Sequence, residues 1–216
     1  MAPKRNRIIC LIGMDGSGKT THAFQIIAHF QKSGLKCRYV WFGAPYLLSY
    51  PFLIICRLLG LTKIHRLQGT VTHSEHQFYK NKPVALIWPW IQLLDLIFFA
   101  GLRVYRPFIM GFTVVCDRFT PDNLVELMAD IRDEKLYKRL FGHLMLSLIP
   151  RSSDVFFLDV TESFAFRRKN DLPNVDYLVQ RKRKYHLIAK EYQIPMINAE
   201  RPVSVVQEEI IHKLEA

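Results

Sequence analysis

An α/β fold, with a parallel five-stranded sheet covered by helices on both faces, is predicted by three features of this chain. Short apolar segments alternate with amphipathic ones along the whole 216 residues. A glycine-rich turn sits between the first apolar segment and the first amphipathic one. The apolar segments are hydrophobic at successive positions rather than at every second one, as strands buried on both faces must be. No internal repeat or long polar linker divides the sequence, so residues 1–216 are expected to form a single domain.

The elements follow in order. RIICLI (Arg7–Ile12) reads as the first strand, and Lys19–Lys32 as an amphipathic helix that Ser33-Gly34 ends, glycine being the usual residue just past a helix. CRYVWF (Cys37–Phe42), TVVC (Thr113–Cys116), DVFFLDV (Asp154–Val160) and PMIN (Pro195–Asn198) supply the remaining strands. Helical patterns cover Pro83–Tyr105, Asp122–Ile149, Val175–Tyr192 and Val203–Leu214. Residues 45–107 are expected to form a helical region, and residues 162–172 a short lid.

Composition narrows the classes. Half of the residues are hydrophobic, and Gly and Pro number only 10 and 11, which excludes a disordered, collagen-like or low-complexity chain. The 30 Lys and Arg outnumber 19 Asp and Glu, giving a formal charge of +11. That excess suits nucleic acid, an anionic membrane or a polyanionic small substrate. No RNA-binding, homeodomain-like or zinc-finger pattern accompanies it, so no specific nucleic-acid partner is expected. Cys10, Cys37, Cys56 and Cys116 lack paired spacing and sit among apolar residues, as reduced thiols of a cytoplasmic protein do. The apolar run at the start ends at Gly13, too early for an export signal.

Two segments raise the question of a membrane. Tyr46–Leu61 is interrupted by Pro51 and Arg57, and Val84–Leu102 carries Pro89, Gln92 and Asp95. A central aspartate costs about 2.5–3.5 kcal/mol in a bilayer. Gln92 and Asp95 are three residues apart and share a helical face, so a buried helix showing a polar edge to a cleft is expected. Peripheral contact with an anionic membrane remains open.

Gly13-Met14-Asp15-Gly16-Ser17-Gly18-Lys19-Thr20-Thr21 fits the pattern GxxxxGK[ST], preceded by a strand and running into a helix. In such a loop the glycines let backbone N–H groups converge on phosphate oxygens, and the helix N-terminus adds positive potential. Gly13, Gly16, Ser17, Gly18, Lys19, Thr20 and Thr21 are thus expected to bind ATP. Lys19 would reach the β- and γ-phosphates, and Thr20 would ligate Mg²⁺. Asp15, a carboxylate among phosphate-binding amides, has three readings: a partner for an acceptor hydroxyl, a partner for an arginine, or a local turn cap. The fold is therefore expected to be of the P-loop kinase type.

Cys116-Asp117-Arg118-Phe119 ends the third strand, where ligands of open parallel sheets bind. Asp117 is expected in the Mg²⁺ shell, directly or through water, and Arg118 on an acceptor phosphate. Arg167, Arg168 and Lys169 would complement Lys19 if their segment closes as a lid, or form a solvated basic patch. Arg181-Lys182-Arg183-Lys184 reads as an exposed helix face. His65, His73 and His76, with Glu75, are open to three roles: metal ligands, acceptor contacts or surface histidines.

Taken together, GMDGSGKTT, VVCDRF, FLDVTESFAFRRKND and MINAERPVSVVQEEIIHKL resemble, in this order, the thymidylate kinase family of P-loop nucleoside monophosphate kinases. The resemblance implies transfer of the γ-phosphoryl of MgATP to a nucleoside monophosphate, thymidylate first, by a homodimer. It implies that Asp15 faces the acceptor sugar, that Arg118 is the family's arginine after the third strand, and that Arg167 and Arg168 are catalytic. It also implies that the turn Asn198–Pro202, with Ala199, borders the adenine. Gln92 and Asp95 fall near the family's base-recognising register. Three departures lie on the acceptor side. Trp41-Phe42-Gly43 stands where an arginine is usual, the helix before Thr113 lacks the usual arginine, and Thr120-Pro121-Asp122-Asn123 replaces the usual residues after Arg118. A sugar, alcohol or lipid-linked acceptor near a membrane, and a non-catalytic ATP-binding protein, are the alternatives.

Overall fold

A computed structural model describes residues 6–43, 47–67, 70–169 and 175–215, with backbone alone at 64–67, 70–73 and 75. Its centre is a five-stranded sheet of β1 (Ile8–Ile12), β2 (Cys37–Trp41), β5 (Thr113–Asp117), β6 (Asp154–Asp159) and β7 (Met196–Asn198). The order across the sheet is β2-β5-β1-β6-β7, and every neighbouring pair is parallel. β1 and β5 are buried at all ten positions, which is why their sequences are apolar without alternation. The chain passes from β1 to β2 and β5 on one side and then crosses to β6 and β7 on the other, and the reversal opens a crevice beyond the carboxyl ends of the central strands.

Helices flank the sheet. They are α1 (Lys19–Lys32), α2 (Ser49–Leu58), α3 (Lys82–Ala100), α4 (Arg106–Ile109), α5 (Thr120–Asp130), α6 (Leu140–Ser147), α7 (Glu162–Arg168), α8 (Val175–Glu191) and α9 (Val203–Glu215). α1 packs on β2, β5 and α9, while α5 packs on α3, α6 and α8. Gly34, at φ +79°, closes α1: its N–H reaches Gln31 O at 2.9 Å, and that of Leu35 reaches Phe30 O at 3.1 Å.

The sequence reading needs correction at three places. The region 45–107 is not wholly helical, because β3 (Thr62–Leu67) and β4 (Thr70–His76) form a separate antiparallel hairpin. The helix expected over 122–149 is two helices, α5 and α6. The chain leaves α5 at Ile131 and Arg132, the latter at φ +54°, and passes through a single 3₁₀ turn at Leu136–Lys138 before α6. The helix expected to end at Tyr105 runs on: α3 widens into a π-helical turn at Gly101–Tyr105 and continues as α4.

α3 begins at Asn81, whose side chain accepts the N–H of Val84 at 3.2 Å. Its inner face buries Trp88, Gln92, Asp95, Leu96 and Ala100. Its outer face leaves Leu86, Trp90, Leu94 and Phe98 about half exposed or more, and Tyr50, Ile55 and Leu58 of α2 are exposed as well. Lys82–Ile109 is long and apolar enough to cross a membrane by length and composition, and 44% of its most apolar stretch is buried in this fold. The four cysteines are free; Cys10, Cys56 and Cys116 are buried and Cys37 is half-buried.

Candidate active site

The loop that follows β1 is shaped by its glycines. A Cβ on Gly13 would stand 2.6 Å from Leu158 O, and one on Gly16 would stand 2.6 Å from Ala165 O. Both residues, and Gly18, hold φ between +86° and +143°, a region costly for any other residue. β6 and α7 therefore press so closely on the loop that only backbone fits. Ser17 is fully buried, and its Oγ finds no hydrogen-bond partner among the described residues. An orphaned hydroxyl in a glycine cradle at the start of α1 suits an anion with several oxygens.

Lys19 lies under this loop, its Nζ donating to Gly13 O at 2.7 Å and Met14 O at 2.8 Å. Burial, reinforced by Arg118, lowers its pKa to about 8 against the pull of Asp15, Asp122 and Asp117. Thr20 Oγ1 donates to the carboxylate of Asp117, which also accepts from Tyr39 OH at 3.0 Å. Burial and then the Asp117 charge push the Tyr39 pKa up to about 12. Thr20 and Asp117 thus present hard oxygen donors side by side, the set a Mg²⁺ ion shares with substrate phosphates. Among the described residues no group of three or more His, Cys, Asp or Glu side chains converges as a metal site.

Arg118, just past β5, is a non-glycine residue at φ +72°. Such a conformation costs on the order of 1–3 kcal/mol and marks a site held by its surroundings. Its N–H donates to Leu11 O at 3.0 Å, while its guanidinium pairs with Asp15 and stands 3.8 Å from Asp122. Burial opposes the charge of Asp15, yet Arg118, Lys19 and Lys169 outweigh it and hold its pKa at about 2. Of the three readings of Asp15, pairing with an arginine is the one seen. Asp122 caps α5 by accepting the N–H of Phe119 at 3.2 Å, and it also takes Tyr185 OH at 2.8 Å. Burial raises its pKa nonetheless.

Beside these groups lies a cavity of about 480 Å³. Aromatic walls come from Trp41, Phe42, Trp88 and Tyr177, and carboxylates from Asp15, Asp122, Glu126 and Asp130. Among the described residues, Arg118 and Lys169 are its cations. The position after β2 is filled by the Trp41 ring, which lies where a Cβ on Gly43 would be, 2.1 Å from its nearest atom. Gln92 lines the cavity and donates to Ser49 Oγ at 2.7 Å. Asp95 does not line it. Its carboxylate accepts the N–H groups of Leu47, Leu48 and Ser49 at 2.9–3.0 Å and so caps α2. Burial works against that charge, but the donors of Ser49, Leu47 and Leu48 hold the carboxyl below its ordinary range.

The lid residues divide. Arg168 stacks on Phe164 at 4.3 Å, and its Nη1 is 3.8 Å from where a side chain on Gly18 would begin. Lys169 stands 3.6 Å from Asp15. Arg167 is exposed and reaches the Glu200 side, where Thr161 first, then Lys182 and Arg167, hold the Glu200 carboxyl down. The remainder of the expected lid, 170–172, lies outside the described residues. Ala199 is buried, its N–H on Asp159 O at 2.8 Å, at the end of β6 that also abuts Gly13. Thr21 is exposed at the start of α1.

Two further expectations are revised. The 181–184 cluster is not an exposed face, since Arg181 and Lys184 are buried. Arg181 forks onto Glu126 at 2.9 and 2.6 Å and lies 3.3 Å over the Tyr177 ring. His76 lines the cavity, stacks on Phe78 at 4.9 Å and contacts Thr62 Oγ1 at 3.1 Å; the side chains of His65 and His73 are outside the described residues. Glu126, Asp130 and Tyr177 were not singled out from the sequence, and Asn123 was noted only as part of the Thr120–Asn123 departure. Asp122, Glu126 and Asp130 recur every fourth residue of an apolar helix, and that spacing would have found them. No family model matches this chain, and no curated protein matches it.

Proposed function

We propose that the chain is a P-loop phosphotransferase that moves the γ-phosphoryl of MgATP to an acceptor held in the cavity. The observation that carries this reading is the Gly13–Thr21 cradle, in which backbone crowding, an orphaned Ser17 hydroxyl and a buried lysine meet at one helix N-terminus. Lys19 binds the β- and γ-phosphates once it exchanges its two carbonyl partners for them. Arg168 and Lys169 add positive charge on the open side of the loop. Thr20 and Asp117 would hold Mg²⁺, which would supply neutralisation of the phosphate charge. Asp15 and Arg118, joined to each other, stand between the loop and the cavity and orient the acceptor. The family resemblance supplies thymidylate as the first acceptor to try.

The test is ADP release from MgATP with a panel of acceptors, alongside ATP binding by calorimetry. Lys19→Ala should lower transfer about 10²–10³-fold, the size of losing one strong donor at a developing charge. Its urea unfolding midpoint should stay within the range of a surface change. Unchanged ATP binding in that variant overturns the reading.

A further inference from the structure

The outer face of α3 is a continuous apolar stripe. At about 100° per residue, Leu86, Ile87, Trp90, Leu94, Ile97 and Phe98 fall within about 120° of the helix circumference. All six are about half exposed or more, and no other residue of 86–98 is exposed. The stripe runs about 18 Å along the helix axis. Charge around it has one sign. Lys82 begins α3, Arg103 and Arg106 follow its end, and all three are exposed. α2 packs on α3, carries Arg57 as its one charge, and exposes Ile54, Ile55 and Leu58 around it. Across residues 44–112 the sequence holds seven Lys and Arg against two acids, Glu75 and Asp95. Asp95 is buried beneath the backbone N–H groups that it caps. No acid of α2 or α3 is therefore exposed.

This charge pattern decides between occupants. A two-fold contact with a second copy sets a patch against itself, so cations would meet cations with no exposed acid on either helix to receive them. An anionic lipid surface supplies both parts together, an acyl boundary for the stripe and phosphates for the cations at its ends. Trp90, half exposed within the stripe, is the residue type that settles at such a boundary. The helix cannot cross the bilayer and keep this fold. Its inner face is packed, Gln92 donates to Ser49, and Asp95 holds the start of α2.

We infer that the outer face of α3 docks the protein on an anionic membrane, with the helix axis along the surface. The inference stands apart from the phosphotransferase reading, since it uses neither the loop nor a nucleotide. Trp88 and Gln92, on the inner face of the same helix, line the cavity. Docking therefore sets the cavity about one helix diameter, 10–12 Å, from the lipid.

The test is flotation with two kinds of vesicle, phosphatidylcholine alone and equal parts phosphatidylcholine and phosphatidylglycerol. At low salt the anionic vesicles should bind about tenfold or more tightly than the neutral ones, and binding should weaken as salt rises. Arg103→Gln/Arg106→Gln should lower affinity for the anionic vesicles about tenfold, with thermal unfolding close to that of the parent. Tryptophan emission should shift to the blue on binding, and Trp90→Phe should lose most of that shift. Absence of flotation with anionic vesicles at low salt overturns the inference, as does equal flotation with neutral ones. A blue shift that Trp90→Phe retains overturns it as well. A dimer in solution that Leu94→Glu dissociates places a second copy on this face and overturns it too.

Discussion

The two sides of the crevice are built by different means. On the side of Gly13–Thr21, recognition rests on backbone: three glycines at positive φ, a helix N-terminus and one lysine, all within nine consecutive residues. On the cavity side, recognition rests on side chains drawn from seven separate stretches of chain between Asp15 and Tyr177. A backbone site must be written contiguously, because it depends on the conformation of one loop. A side-chain site has no such requirement, since the sheet and helices bring its parts together. The first therefore leaves a motif, and the second leaves only scattered residues whose partners are tens of positions away.

Three perturbations break or sharpen that contrast. The largest effect is expected from Gly16→Val. It places a β-branched residue at φ +86° with its Cβ 2.6 Å from Ala165 O, so the loop must move. ATP binding should fall more than 100-fold in calorimetry, and stability in urea should drop by about 1–3 kcal/mol from backbone conformation alone.

A smaller effect is expected from Arg118→Ala, which leaves Asp15 and Asp122 without their shared cation. Unfolding should become easier by about 2 kcal/mol, less than for a fully buried pair because both side chains are part-exposed. The folded pKa of Asp15, about 2 against an ordinary 3.8, means that its pair contributes stability above pH 4 that is lost as pH falls from about 4 to about 2. Denaturation followed across that window should show a limb of about 2 kcal/mol that flattens in the variant. An unaltered limb would assign the acid sensitivity elsewhere.

The smallest effect concerns protons. Lys19 has a folded pKa of about 8, so a fraction of free protein near pH 8 holds it neutral. ATP phosphates favour the charged form and raise that pKa, so binding must take up part of a proton. Calorimetry at pH 8 in two buffers of different ionisation enthalpy should register the uptake, and the signal should vanish near pH 6. With both states protonated below pH 8, the burial penalty on Lys19 is constant. Between about 8 and 10.5 the unfolded chain holds more protons, so this group's contribution to stability rises with pH.

How much was legible follows the same division. The strand–loop–helix unit, the five strands of the sheet, and Asp117 with Arg118 beside the loop were all readable, because each is set by local pattern. The hairpin was not, since the polar run from Thr62 to His76 lies between two apolar helices that dominate any reading of the region. The break after α5 was hidden because Ile131–Arg139, six of whose nine residues are charged, contains no Gly or Pro to end a helix. Arg181 and Lys184 look solvated in a run of four cations. Only the packing of α8 on α5 brings Glu126, 55 residues away, against Arg181. Asp95 illustrates the converse. Its polar character inside an apolar helix was visible, but its use as a cap for α2 depends on a neighbour 46–48 positions earlier.

The widened turn at Gly101–Tyr105 has a consequence for how this helix can vary in length. Trp88, Gln92, Leu96, Ala100 and Val104 are buried at intervals of four, although four residues overshoot a regular helical turn by about 40°. A turn closed by bonds to the fifth residue takes in one extra amino acid and slows that rotation where it would otherwise carry Val104 away from the core. Chains descended from a common ancestor with this one can therefore differ by a single residue there and keep both flanks in place. The same deletion within Lys82–Ala100 would swing every later side chain by about 100° and turn an apolar face to water.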